Sequence, residues 1–283
     1  MIDFLTTRRH KLPQLLLLAA LLALLVSTCA AQTFTSCNPT QVKCPPNVGL
    51  SKSSPYVADF KSGIDNLLWS SVGSGSITQS SATGAAFTIS KRFDAPTLET
   101  NGYMFFGTVE VHIRAAPGQG IVSCVVLQSD DLDEIDWEWL GGSDKVNEVQ
   151  TNYFGKGNTT TYDRGGKTAV QDTQTMTHNY TISWSKELIT WYIDGNAVRT
   201  LQYEDAVGGK NFPQTPVRVR VGSWAGGDPG NAEGTIGWAG GVTDFSKGPF
   251  TMLVEKVVIT NANPAASYAY GDLSGSFQSI NVG

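Results

Sequence analysis

Three carboxyl side chains, Glu134, Asp136 and Glu138, alternate with Ile135, Trp137 and Trp139 near the middle of a 283-residue chain. Successive side chains of an extended strand point to opposite faces, so this spacing predicts an acidic row on one face and an apolar row on the other. An amphipathic edge strand would share the pattern, but like charges aligned along one strand repel and no run of Lys stands nearby to neutralise them. Glycosidic bond cleavage gives such a row a purpose, because it needs one carboxylic acid that stays protonated and one carboxylate that stays ionised. Three carboxyls this close cannot all ionise freely, so at least one must titrate high. Residues 134 and 138 would lie about 13 Å apart at Cα on an ideal strand, whereas a retaining pair of carboxyls stands about 5 to 5.5 Å apart. Spacing alone therefore leaves the stereochemical outcome open. Trp137 and Trp139, on the other face, are expected in a core between sheets and not as sugar platforms.

The elements that must position this strand read as β-structure. Residues 102–114 alternate, with Phe106, Thr108, Glu110, His112 and Arg114 against Phe105, Gly107, Val109, Val111 and Ile113. Residues 121–127 are a continuous apolar strand leading into the acidic one, which Gly141 and Gly142 end. Residues 179–184 and 188–193 form a hairpin, and 216–224 place Arg218, Arg220, Gly222 and Trp224 on one face. Residues 225–231 read as a loop, and 253–260 as the final strand. A dozen or more short strands without a long amphipathic helix predict an all-β protein, two antiparallel sheets packed face to face, with one outer face curved into a cleft. We divide the chain into 1–31, a 32–58 N-terminal segment, a 59–262 domain and a 263–283 tail.

Residues 1–31 have the parts of a secretory signal: Arg8, Arg9 and Lys11, an apolar stretch 15–26, and small residues up to Ala31. That stretch is shorter than the roughly 18 residues of a membrane span, so no span is expected. Removing residues 1–31 leaves 17 basic against 24 acidic residues, a net charge near −7. No basic stripe remains for nucleic acid, and a neutral polysaccharide is not repelled. In a secreted chain Cys37 and Cys44 read as a local disulfide, and Cys124, inside an apolar run, as a buried free thiol. His112 and His178 have no His or Cys at ligand spacing, so neither a metal nor any other cofactor is expected. Asn158 and Asn179 begin N-glycosylation sequons.

Glu134-Ile135-Asp136-Trp137-Glu138 matches the Glu-x-Asp-x-Glu signature of glycoside hydrolase family 16. The run from Leu127 to Glu138 resembles the fungal Crh-type cell-wall transglycosylases, and later segments extend the likeness to about residues 37 to 262. The resemblance implies a β-jelly-roll of concanavalin A-like type with the active site across its concave sheet. It implies Glu134 as nucleophile, Glu138 as acid/base, and Asp136 as the group that hydrogen-bonds the nucleophile and tunes its charge. Arg220, Trp224 and Thr235 match positions that contact chitin in that family. Gln150, Asn152, Tyr153, Tyr162 and Arg164 match the segment following the catalytic strand and are expected to line the cleft, with Trp238 beyond the Gly-rich loop. The expected reaction cuts a chitin donor and passes it to a β-glucan acceptor of the wall, performed by a monomer. Two rivals share the scaffold, a β-glucan or chitin hydrolase and a non-catalytic lectin-like wall protein. Many family members continue into a Ser/Thr-rich stalk and a tail for a glycolipid anchor, which 268–282 do not resemble.

Overall fold

The computed structural model describes residues 35–142, 144 and 146–283, so the expected leader at 1–31 lies outside the described residues. The acidic strand, Glu134–Leu140, is near the middle of a seven-stranded antiparallel sheet. On one side of it come Glu148–Phe154 and then Gly166–Ala169; on the other come Ile121–Ser129, Val217–Ala225, Thr97–Thr100 and Trp69–Val72. Alternation fixes the register, because a slip by one residue would turn the carboxyls inward.

The inner face of this sheet packs on a second antiparallel sheet of eight strands, which includes Gly107–Arg114, His178–Trp184, Leu188–Ile193 and Phe250–Asn261. Trp137 and Trp139 are buried between the two, with their rings edge-on to Tyr180 of the opposite sheet at 5.4 and 4.6 Å. Ile135, Val125, Leu127, Val219 and Val221 complete that layer. The two-sheet sandwich is the fold the alternation predicts, and the inter-sheet place of both Trp side chains is as expected.

The 225–231 loop is followed by a short helix, Glu233–Trp238. Two local readings change. Residues 263–283 are not a tail: Ser267–Tyr270 pairs with Asn47–Val48 and with Ile280–Val282 in a small third sheet. Cys37 and Cys44 do form a disulfide, but Cys124 is disulfide-bonded and not a free thiol. Its strand parity places it on the outer face, directly opposite Glu138, and not in the inter-sheet core. Among the described residues no helix is long and apolar enough to cross a membrane, and no group of three or more His, Cys, Asp or Glu could hold a metal ion.

Candidate active site

The turn before the acidic strand is pinned by two buried carboxyls. Ser129 N–H donates to the Asp133 carbonyl at 3.0 Å, closing the turn. Asp133 then accepts from the backbone N–H of Lys156 at 2.9 Å and of Gln214 at 2.8 Å, tying together the segments that follow Phe154 and precede Val217. Thr215 Oγ1 lies 2.6 Å from Asp131 Oδ1 and 2.9 Å from Asp133 Oδ2. Its one proton can serve either carboxylate. Burial, and after it the neighbouring Asp133, pushes Asp131 up to about 7. Glu134 is the next residue, so this clamp sets where the strand begins.

From there Glu134, Asp136 and Glu138 share the outer face. Across one neighbouring strand they face Gln128, Val126 and Cys124, and across the other Phe154, Asn152 and Gln150. Gln128 Nε2 approaches Glu134 Oε2 at 3.4 Å. Burial, and after it the charge of Glu134, raises Glu138 to about 8, which keeps it protonated at neutral pH as a general acid must be. Asp136 is pushed well above the ordinary carboxylate range by burial, then by Glu138 and Glu134, and its hydrogen bond to Glu134 requires that a proton be shared between them. One acid, one proton-sharing partner and one carboxylate in a row are the components of a retaining double displacement.

Beyond Glu138 the face becomes apolar. Val122, Cys124, Val126, Leu140, Trp224 and Ala239 form a cluster against which Trp238 packs. The Trp224 and Trp238 rings stack at 6.1 Å with 26° between planes, and Trp238 Nε1 donates to Gln150 Oε1 at 3.0 Å. Trp224 is only 3% exposed, so it backs Trp238, whose partly exposed ring, bordered by the Gln150 amide, suits a pyranose with its apolar faces edged by hydroxyls. Thr235, half-buried, lies three residues before Trp238 on the short helix and so on its side of it.

The other expected site residues divide. Gln150 and Asn152 are on the acidic face, opposite Glu138 and Asp136. Arg220 is on it as well, ion-paired with Glu99 at 2.5 Å. Tyr153 is not: it pairs with Ile135, faces inward, and lines a cavity of about 390 Å³ with Arg164, Arg199 and Asn211. The reason is parity, since only every second residue after Gln150 shares its face. Arg164 holds the loop above it, donating to the carbonyls of Asn158 and, at 2.7 Å, Thr161. Its guanidinium lies 4.7 Å from the Phe154 ring, against which exposed Tyr162 stands edge-on at 6.3 Å. Sequence reasoning missed Phe154, Gln128 and Glu99. Counting by twos from Gln150 reaches Phe154, and counting back by twos from Glu134's partner strand finds Gln128; nothing in the sequence marks Glu99.

Asn158 Nδ2 donates to Asn211 Oδ1 at 3.0 Å, and Asn179 lies within His178–Trp184. His112 is half-buried with Nε2 2.8 Å from Glu110 Oε1, on the far sheet from the carboxyls.

Comparison with known proteins agrees with this geometry. The sequence model of glycosyl hydrolases family 16 matches residues 66–240. Crh-like protein 5 of Aspergillus fumigatus is 57% identical over 262 residues, covering 93% of this chain and 65% of that protein. Crh-like protein 1 of the same fungus is 57% identical over 251 residues, covering 89% and 67%. The chain thus spans about two thirds of the length of these relatives. A solved Crh5 transglycosylase in complex with NAG superposes with a TM-score of 0.83 at 57% identity, covering 87% of this chain and all of that one. A Bacillus licheniformis beta-glucanase shares the fold, with a TM-score of 0.61 at 22% identity over 74% of this chain and 98% of that one.

Proposed function

This chain belongs to glycosyl hydrolases family 16, and from that premise we propose that it is a retaining transglycosylase of the fungal cell wall, cutting chitin and joining it to β-glucan. The observation that supports this best is the row Glu134, Asp136 and Glu138 on one strand face, with Glu138 raised to about 8 beside a stacked Trp pair.

In the first half-reaction the Glu134 carboxylate attacks the anomeric carbon as the glycosidic C–O bond breaks. Glu138 gives its proton to the departing oxygen, leaving a glycosyl ester on Glu134. In the second, an acceptor hydroxyl loses its proton to Glu138 and attacks the same carbon, and Glu134 leaves as carboxylate. Asp136 shares its proton with Glu134 when Glu134 is charged and releases that contact when Glu134 is esterified. Trp224, Trp238 and Gln150 hold donor rings; Arg220, Thr235, Asn152, Tyr162 and Arg164 shape the flanks, and Tyr153 acts from beneath. Secretion by the 1–31 leader and N-glycans on Asn158 and Asn179 fit a wall enzyme acting as a monomer.

Incubation with a chitin oligosaccharide and a labelled β-glucan tests the reading. Labelled hybrid chains are expected; shortened donor without hybrids makes the protein a hydrolase, and unchanged donor makes it a lectin-like wall protein.

A further inference from the structure

Four side chains form one line across four neighbouring strands of the acidic face. Glu99, on Thr97–Thr100 and only 6% exposed, accepts from Arg218 Nη1 and, at 2.5 Å, from Arg220 Nε, both on Val217–Ala225. Arg220 Nη1 donates to Gln128 Oε1 on Ile121–Ser129, and Gln128 Nε2 reaches toward Glu134 Oε2 at 3.4 Å. The polarity of this line follows from the groups in it. A guanidinium has donors only, so Gln128 must turn its carbonyl oxygen to Arg220, and its NH2 is left facing Glu134. Without that anchor the amide could turn over and present its oxygen to a carboxylate, which would repel it. Arg220 in turn cannot swing away while Glu99 holds two guanidinium groups at once.

We infer that Gln128 is a positioning residue for Glu134, and that the Arg220–Glu99 pair acts through it by fixing which end of the amide the carboxylate meets. The inference rests on the reading of Glu134 as nucleophile given above. An N–H aimed at one carboxylate oxygen favours the ionised form and limits rotation, leaving the other oxygen for attack. It also helps the second half-reaction, in which Glu134 must leave with its negative charge restored. The charged groups around Glu134 are Asp136 and Glu138 on its own strand, Arg220 beyond Gln128, and Arg164 over the Phe154 ring on the other side.

Gln128→Glu, Gln128→Met and Glu99→Gln, each checked for folding by thermal melting, separate this role from a structural one. Gln128→Glu sets a second carboxylate against Glu134 and is expected to move the acidic limb of the kcat/KM profile up by about one pH unit. Gln128→Met, which keeps shape without the donor, is expected to lower kcat/KM about tenfold or more with a smaller effect on KM. Glu99→Gln, with Gln128 intact, is expected to lower kcat in the same direction by less. An unmoved acidic limb in Gln128→Glu, or Gln128→Met within about twofold of the parent, overturns the inference. If Gln128→Glu does not fold, Gln128→Met decides. Labelling of the parent by a mechanism-based fluorosugar keeps the two readings apart. A label away from Glu134 overturns the nucleophile assignment itself, whereas a label on Glu134 with indifferent Gln128 variants overturns only this inference.

Discussion

Trp191, on the sheet opposite the acidic strand, donates its indole N–H to the backbone carbonyl of Asp136 at 3.2 Å. The centre of the strand is thereby fastened from below as well as from both sides. The same indole ring carries the Arg199 guanidinium at 4.8 Å, and Arg199 Nη1 donates to the carbonyl and hydroxyl of Thr151 on the adjoining strand, each at 2.8 Å. Trp191→Phe keeps an aromatic side chain but removes the donor and leaves a small cavity, and is expected to cost about 2 to 4 kcal/mol. Denaturant melts with the kinetics of the same variant check it, kcat falling more than KM rises.

Glu138→Gln should slow transfer from an unactivated oligosaccharide by about 10²- to 10⁴-fold. A donor with an acidic aryl leaving group needs no proton, so its glycosylation step should survive far better. Glu134→Gln should abolish both. Rates with the two donor types, measured side by side, distinguish an acid from a nucleophile at each position.

Activity and stability should both decline as pH rises, over different ranges and for separate reasons. Glu138 is raised to about 8, so kcat/KM should fall as pH rises through about 8 and the acid loses its proton. Asp131 is raised from 3.8 to about 7, chiefly by burial and then by Asp133. Between those values the folded chain holds a proton that the unfolded chain has released. Its contribution to stability is fully present below about pH 4 and lost as pH rises through about 7, at a slope of about 1.4 kcal/mol per pH unit. Thermal melts from pH 4 to 8 should show this fall, to which the raised Asp133, Asp136 and Glu138 add in the same direction, and Asp131→Asn should make it shallower by one group's share.

The Trp224 and Trp238 stack should govern donor binding. Trp224→Ala is expected to raise KM for chitin oligosaccharides about tenfold with less change in kcat. Trp238→Phe and Gln150→Leu, alone and combined, should show a coupling of about 0.5 to 1.5 kcal/mol in donor binding, the signature of their shared hydrogen bond.

Much of this site can be read by counting along the chain. Period-two alternation is strong between 134 and 139, so the faces of the three carboxyls and of both Trp residues follow from it. The same rule, applied one strand later, separates Gln150, Asn152 and Phe154 from Tyr153; matching a whole segment to a family without regard to parity put Tyr153 in the cleft. Other features are not periodic. Asp133 meets Gln214, and Glu99 meets Arg220, across separations of 81 and 121 residues, and no local pattern announces such partners. Ser267–Tyr270 and Ile280–Val282 have four and three residues, too short for alternation to register. The helix Glu233–Trp238 has two Gly among its six residues, a composition that favours a loop until packing decides otherwise.

The small sheet that joins Asn47–Val48 to Ser267–Tyr270 also bears on biosynthesis. Asn261 reinforces that seam through bonds of 2.8 Å to the Leu50 carbonyl and 2.7 Å to the Tyr268 hydroxyl. Ribosomes release polypeptide from its amino end, so an early segment waits unpaired until residues more than two hundred positions later emerge, and this seam can close only once both of its sides have left the ribosome.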